Sequence, residues 1–176
     1  MIVVLTGPES VGKTSLCQDL AHSYQGRWVP EYARTYLESL PRHYLYEDVE
    51  HIAEVQHRTF LKYQNDDQVG VVFFDTYLII TKIWFELVFG RVPGWLDQAI
   101  RSSRIDLVLL LSPDLPWEED PLRENGAAER REFLFQRYRK ELDFYHIPYY
   151  IVSGFGDARL ESCRHGIDTI LEDKKI

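Results

Sequence analysis

Two kinds of hydrophobic pattern alternate along this chain. Short apolar runs are typical of strands buried on both faces, and they alternate with segments whose apolar residues recur at helical spacing. The predicted strands are Ile2–Leu5, Trp28–Val29, Val69–Phe74, Ile105–Leu111 and Pro148–Val152. The predicted helices are Ser15–Tyr24, Tyr32–Leu40, Tyr46–Gln64, Ile79–Phe89, Asp97–Ser103, Ala127–Tyr145 and Leu160–Leu171. This alternation predicts a three-layer α/β fold, a five-stranded parallel sheet with helices on both faces joined by right-handed crossovers.

The helix predicted over 127–145 is long and strongly charged. Its apolar residues at helical spacing are expected to face the core. They are Phe133, Leu134, Tyr138, Leu142 and Tyr145. No linker or repeat interrupts the pattern, so residues 1–176 are expected to form one domain. Ligands of such sheets bind beyond the carboxyl ends of the strands, and the residues that follow each strand are therefore the candidate site.

The segment after the first strand carries the most specific motif. Residues 7–14 read GPESVGKT and match the phosphate-loop pattern G-x-x-x-x-G-K-[ST] in full, between a strand and a helix. Glycines let the backbone turn so that successive N–H groups and the helix N-terminus face a phosphate. In such loops the lysine, here Lys13, reaches the β- and γ-phosphates, and the following hydroxyl, here Thr14, binds Mg²⁺. The nucleotide-binding residues predicted from the motif are Gly7, Glu9, Ser10, Val11, Gly12, Lys13, Thr14 and Ser15.

The overall charge narrows the possible ligands. The chain has 20 basic and 28 acidic residues, a net charge of −8, which disfavours nucleic acid and negatively charged membrane surfaces as partners. A triphosphate remains compatible, because the phosphate loop concentrates backbone dipoles and a lysine at one point. No apolar run reaches the roughly 20 residues of a membrane span, and no signal peptide is evident, so a cytoplasmic location is expected. Cys17 and Cys163 are expected to be reduced core residues.

Acidic residues follow the second and third strands. Asp75 comes after a run of apolar strand residues, as in a Walker B motif, and is predicted to hold Mg²⁺ or its waters. The alternative is that Asp75 caps the next helix. Glu31 follows the second strand and could hold an acceptor hydroxyl or accept its proton, while Arg34 could neutralise the reacting phosphate. Alternatively, Glu31 interacts with the helix dipole and pairs with Arg34. Whether Glu31 or Asp75 is the base stays open.

The segment after the fourth strand is irregular and rich in arginine. Residues 113–131 contain three prolines and lead into a charged helix. A polar insertion over this edge of the sheet resembles a lid that excludes water and stabilises phosphoryl charge. Arg123 and Arg130 are predicted to serve that role, Arg131 is a weaker candidate, and a solvent-exposed helix face is the alternative. The loop after the fifth strand, at 153–157, could pass the nucleotide base or could be a plain turn.

Over nearly its whole length the chain resembles the ribosylnicotinamide kinase domain of the NadR-type NAD-biosynthesis regulators. The segments that carry the resemblance are GPESVGKTSL at 7–16, EYAR at 31–34, FFDTYLIIT at 73–81, WEEDPLR at 117–123 and IPYYIV at 147–152. The resemblance implies a P-loop nucleoside-kinase-like fold and ATP-dependent phosphorylation of the 5′-hydroxyl of N-ribosylnicotinamide. It also implies that Glu31, Tyr32 and Arg34 lie at the acceptor site and that Asp75 is the metal or base position.

Two departures from that family are evident. NadR proteins also carry a nucleotidyltransferase domain, and some carry a DNA-binding domain; these 176 residues contain neither, so those activities are not carried over. Pro30 stands where relatives can have a Trp that stacks on the nicotinamide, and Trp28 or Tyr32 is a candidate replacement. A kinase for another nucleoside or vitamin, or a P-loop ATPase or switch module acting on a protein partner, is the alternative function.

Overall fold

The computed structural model describes residues 1–66, 68, 70–118 and 127–173. Five strands form a parallel sheet of order β2-β3-β1-β4-β5, which confirms the predicted α/β architecture. The strands are β1 (Ile2–Thr6), β2 (Arg27–Val29), β3 (Val72–Asp75), β4 (Leu107–Leu111) and β5 (Tyr149–Val152). The α-helices are α1 (Lys13–Ser23), α2 (Tyr32–Glu38), α3 (Tyr46–Gln64), α4 (Leu78–Trp84), α5 (Leu96–Ser102), α6 (Ala128–Phe144) and α7 (Gly156–Asp173).

Apolar runs in the central strands bury side chains on both faces of the sheet. In β1, Ile2 and Val4 join a core layer formed with α3, α4, α5 and α6. The alternate residues Val3 and Leu5 join the opposite layer, formed with α1 and α7. Because successive side chains of a strand point to opposite faces, a continuous apolar run is what a sheet covered on both sides requires. Cys17 and Cys163 are buried thiols within that second layer, as predicted.

The predicted helix over 79–89 is two elements in the structure. The α-helix ends at Trp84, and a π-helix follows over Phe85–Phe89, closed by Gly90 in a left-handed conformation with φ of 64°. The two helix types differ in hydrogen-bond pattern, which hydrophobic spacing over five residues does not resolve. π-Helical turns occur frequently at functional sites, and this one lines the cleft described below.

The described helices include none that is long and apolar enough to cross a membrane. Other boundaries differ from prediction by a few residues. Helix α7 begins at Gly156, before its first apolar residue Leu160, because its first turn is polar. Within α6, Phe133 is exposed and Phe135 is buried instead, so the prediction of an inward Phe133 was wrong. The rotation of this helix is set by packing on the sheet and α4 rather than by its own pattern.

Candidate functional site

The phosphate loop lies at the carboxyl end of the central strand β1. Gly7 has φ of 146°, and a Cβ atom there would lie 2.7 Å from the carbonyl oxygen of Leu111 at the end of β4. Gly12 has φ of 78° and stands immediately before α1. Both positions therefore require glycine, one for space and conformation and the other for conformation. The loop makes its intermediate turn at Ser10, which has φ of 56° although it carries a side chain.

Lys13 folds back over this loop. Its Nζ donates hydrogen bonds to the carbonyl oxygens of Gly7 at 3.1 Å and Pro8 at 2.7 Å. All eight residues predicted to bind nucleotide line one cleft of about 800 Å³. The ammonium group is therefore held beside the backbone that would surround a phosphate, where it can exchange carbonyl oxygens for phosphate oxygens.

Asp75 lies beside the phosphate loop because β1 and β3 are neighbours in register, with Leu5 opposite Asp75. The Thr14 hydroxyl donates a hydrogen bond of 2.6 Å to Asp75 Oδ2. Helix α4 starts at Leu78 with Tyr77 at its cap position, so the helix-cap alternative for Asp75 was wrong. The carboxylate is almost completely buried, and this burial raises its pKa.

The Thr14–Asp75 pair fits the chemistry of a Mg²⁺ site. In the described part of the chain, Asp75 Oδ1 has no hydrogen-bond partner although it is buried. Such an orphan acceptor indicates that a cation or water belongs beside it. No cluster of three or more His, Cys, Asp or Glu residues that could hold a metal lies within those same residues. One carboxylate and a hydroxyl suit Mg²⁺, which keeps several waters and takes its other ligands from substrate phosphates.

Glu31 and Arg34 line the same cleft as the phosphate loop. Glu31 precedes α2, but its side chain makes no capping hydrogen bond to that helix. Desolvation raises the pKa of Glu31, while the positive charges of Lys13 and Arg34 act against the rise. Arg34 Nε lies 3.2 Å from Glu38 Oε1, and its charge also lowers the pKa of Asp75. Glu31, Lys13 and Arg34 thus line a common space, and Asp75 lies close enough for the charges of Lys13 and Arg34 to act against the rise in its pKa.

The structure does not bring Tyr32 into the cleft walls. Its hydroxyl lies 3.2 Å from His51 Nε2, and its ring packs beside Tyr36 and His51. Trp28 packs in the core layer of α1 and α7. Neither Tyr32 nor Trp28 lines the cleft, so the structure brings neither of the two aromatic residues suggested for ring stacking to its walls.

Two aromatic residues that sequence reasoning missed line the cleft instead. Trp84 at the end of α4 and Tyr44 before α3 pack edge to face, with ring centroids 4.8 Å apart. Leu87 and Val88 of the π-helix extend this apolar wall. No local motif marks these residues, and their separation of 40 positions gives no periodic signal. A flat aromatic ring could stack here, because the wall is both apolar and aromatic.

The two predicted lid arginines that the structure describes lie differently. Arg130 is exposed, lines the cleft and places its guanidinium 5.1 Å from the Phe133 ring centroid. Arg131 is only 5% exposed and donates to backbone carbonyls of the phosphate loop. Arg123, with 119–126, lies outside the described residues, so its predicted lid role stays a prediction.

The start of α7, which follows β5, contributes a further wall. Gly156, Asp157 and Leu160 line the cleft beside α1. Buried Arg159 donates to Asp114 Oδ1 at 2.5 Å, and Asp114 Oδ2 accepts from the Gly154 N–H at 2.8 Å. This pair holds the loop after β5 against the loop after β4. Whether the residues at 153–157 pass the nucleotide base or form a plain turn stays a prediction.

Comparison with known proteins assigns this arrangement to a family. The model of the AAA_28 family, described as an AAA domain, matches residues 2–159. The chain belongs to this family of AAA domains. The trifunctional NAD biosynthesis/regulator proteins NadR of Salmonella typhimurium and Escherichia coli are 30% and 34% identical to it, over 82% and 74% of this chain. These alignments cover 37% and 33% of the two relatives, so this AAA domain spans about a third of their length.

A solved structure extends the likeness to three dimensions. The crystal structure of a NadR protein in complex with NR matches 99% of the AAA domain and 52% of its own chain, with a TM-score of 0.81 and 25% identity. The NadR resemblance indicated by the sequence motifs is thereby confirmed. The match also confirms the P-loop fold, because it covers the sheet, the phosphate loop and the cleft together.

Proposed function

We propose that this chain is an ATP-dependent kinase that transfers the γ-phosphoryl group of ATP to the 5′-hydroxyl of nicotinamide riboside, giving nicotinamide mononucleotide. The observation that carries the proposal is one continuous cleft with two chemically distinct halves. One half is the phosphate loop with Lys13. The other combines carboxylate Glu31, cation Arg34 and an aromatic wall. The NadR relatives, one of them solved with NR, support nicotinamide riboside as the acceptor.

Each half of the cleft supplies a part of phosphoryl transfer. The loop N–H groups and Lys13 bind the β- and γ-phosphates, and Arg130 adds positive charge from the lid side. Thr14 and Asp75 would hold Mg²⁺, which neutralises phosphate charge when bound. Glu31 orients the acceptor hydroxyl and accepts its proton, since its carboxylate faces the acceptor half. The wall formed by Tyr44 and Trp84 holds the pyridinium ring by stacking and cation–π attraction.

A panel of acceptors tests the proposal directly. ADP release by the purified chain with ATP and Mg²⁺ is measured with nicotinamide riboside, deoxynucleosides, thiamine and no acceptor. We expect release to depend on nicotinamide riboside, with one nicotinamide mononucleotide formed for each ADP. Stimulation by a different compound would reassign the acceptor. Rapid hydrolysis without acceptor, unchanged by every compound, would contradict a small-molecule kinase and favour the ATPase or switch module.

Replacing Trp84 by alanine tests the acceptor half. Stacking of a flat base on an aromatic side chain contributes roughly 1–3 kcal/mol, so we expect the KM for nicotinamide riboside to rise by about tenfold or more. The KM for ATP should stay near wild type, because Trp84 lies on the acceptor wall. Trp84→Phe should retain most of the affinity.

Trp28→Phe is the matched control, since Trp28 is a tryptophan outside the cleft. Steady-state kinetics with each substrate varied in turn gives both KM values. A Trp84→Ala variant with wild-type KM for the nucleoside would contradict the stacking assignment.

A further inference from the structure

The start of α6 holds a buried cation against the phosphate loop. Arg131 is 5% exposed, and within the described residues its guanidinium donates to three backbone carbonyl oxygens. Nε lies 3.2 Å from the oxygen of Glu9, Nη2 lies 3.1 Å from that of Ser10, and Nη1 lies 2.9 Å from that of Leu115. Two of these acceptors belong to the phosphate loop itself. The planar guanidinium presents several N–H donors in fixed directions, so that Nε, Nη1 and Nη2 each reach a different carbonyl oxygen. The shape of the arginine side chain therefore matters here as well as its charge.

These bonds determine the direction of the loop N–H groups. A peptide unit is planar, so the carbonyl of one residue and the N–H of the next point in opposite directions. Holding the Glu9 and Ser10 carbonyls toward the Arg131 guanidinium therefore turns the N–H groups of Ser10 and Val11 away from that guanidinium. Ser10 and Val11 line the cleft, whereas Arg131 is not among its lining residues. A nearby positive charge also polarises both peptide groups and strengthens their N–H dipoles.

The backbone turn at Ser10 is a reason why the loop needs the Arg131 hydrogen bonds. Its φ of 56° is unfavourable for a residue with a side chain. The Ser10 hydroxyl lies 3.3 Å from both the carbonyl oxygen and the N–H nitrogen of Glu118. The segment 115–118 thus lies across the loop. Arg131 also holds this segment, because it donates a hydrogen bond to the Leu115 carbonyl oxygen. Arg131 joins the phosphate loop, this segment and α6 into one unit.

We infer that Arg131 is a positioning residue for nucleotide binding, which holds the two peptide units around Ser10 so that their N–H groups face the bound triphosphate. It differs in role from its neighbour Arg130, which faces the cleft. The inference rests on the proposed function only in taking ATP as the bound anion. It requires no particular acceptor.

The experiment compares Arg131→Lys and Arg131→Met with wild type by calorimetric titration of the full chain. The ligands are AMP-PNP with Mg²⁺, and nicotinamide riboside. We expect Arg131→Met to raise the Kd of AMP-PNP by about tenfold or more, since two charge-assisted carbonyl bonds in the loop are lost. Arg131→Lys should give an intermediate rise. The Kd of nicotinamide riboside should change less than the Kd of AMP-PNP in both variants.

Arg139→Met is the matched control, because Arg139 lies exposed on the same helix and bonds Tyr149. It should bind AMP-PNP as wild type does. Wild-type AMP-PNP affinity in Arg131→Lys, or equal weakening of both ligands, would overturn the inference in favour of a general stabilising role. If Arg131→Met does not fold, Arg131→Lys decides by the same comparison. If wild type does not bind nicotinamide riboside, that result counts against the proposed function. The role of Arg131 is then still decided by comparing the Kd of AMP-PNP in the Arg131 variants with its Kd in Arg139→Met.

Discussion

Replacing Lys13 by methionine is expected to lower kcat/KM for ATP by about 10³-fold, the upper range for losing one preorganised charged donor in an active site. Lys13 Nζ is held by the Gly7 and Pro8 carbonyls at the mouth of the loop, where the transferring phosphoryl group would lie. In the proposed reaction its charge would stabilise the transition state more than the ground state, so most of the loss should appear in kcat. Methionine preserves length and removes the charge.

Lys140→Met is the control for this variant, because Lys140 is exposed on α6 away from the cleft. A coupled assay of ADP release, with ATP varied at saturating acceptor, gives kcat/KM for ATP of the two variants and of wild type. The melting temperature of Lys13→Met is measured beside that of wild type, so that a loss of rate is distinguished from a loss of folded protein. A Lys13→Met enzyme that retained more than a tenth of wild-type kcat/KM would contradict this role.

The second large effect concerns the two carboxylates, and it separates their roles. Glu31→Gln is expected to lower kcat by about 10²–10⁴-fold, the usual contribution of a general base. The Mg²⁺ concentration that gives half-maximal rate should stay unchanged. Asp75→Asn should also lower kcat, but it should raise that Mg²⁺ concentration by about tenfold, the scale of losing a group that supports a metal site. Titrating Mg²⁺ at saturating ATP and acceptor distinguishes the two.

Both carboxylate variants should be more stable than wild type at neutral pH. The pKa values of Glu31 and Asp75 are raised in the folded state, chiefly by desolvation. As pH rises from the ordinary carboxyl range near 4 through these raised values, the unfolded chain loses protons first, and wild-type stability falls. The neutral amides introduced by Glu31→Gln and Asp75→Asn carry no such penalty. The melting temperatures of both variants should therefore exceed that of wild type at pH 7.5, and the difference should disappear below about pH 4.

Thermal unfolding at several pH values measures this effect, and the pH dependence of kcat provides an independent check. If Glu31 must be ionised to accept a proton, wild-type activity should decline on the acid side at a pH above the ordinary glutamate pKa. Glu31→Gln should lose this acid limb while retaining a low residual rate. Equal melting temperatures at pH 7.5, or an unchanged acid limb, would contradict the assignment of a desolvated base.

Several features of the site were predictable because they are local in the chain. The phosphate loop is a run of consecutive residues, and its turns at Gly7 and Gly12 are where the motif indicates. Asp75 was predictable because the carboxyl ends of parallel strands share one edge of the sheet. The side chain it contacts, Thr14, follows from the same geometry, since β1 and β3 are neighbours.

Other features depend on contacts between distant segments. Tyr44 precedes α3, and Trp84 is the last residue of α4. They meet because the π-helix and the start of α3 pack together. The sequence suggested Trp28 and Tyr32 for the same purpose, because they flank Pro30. Nearness along the chain was misleading, because successive residues of a strand or helix point in different directions.

The α/β class, the phosphate loop and the carboxylates after the second and third strands are predictable from the sequence. Each depends on a short pattern whose geometry is set by the backbone alone. Which of Arg130 and Arg131 faces the cleft, and which supports the loop, follows from the tertiary structure. Neighbouring helix residues point about 100° apart, and the rotation of α6 about its axis is set by how Leu134, Phe135 and Tyr138 pack into the core. That choice is a property of the whole packed molecule, because no local pattern determines it.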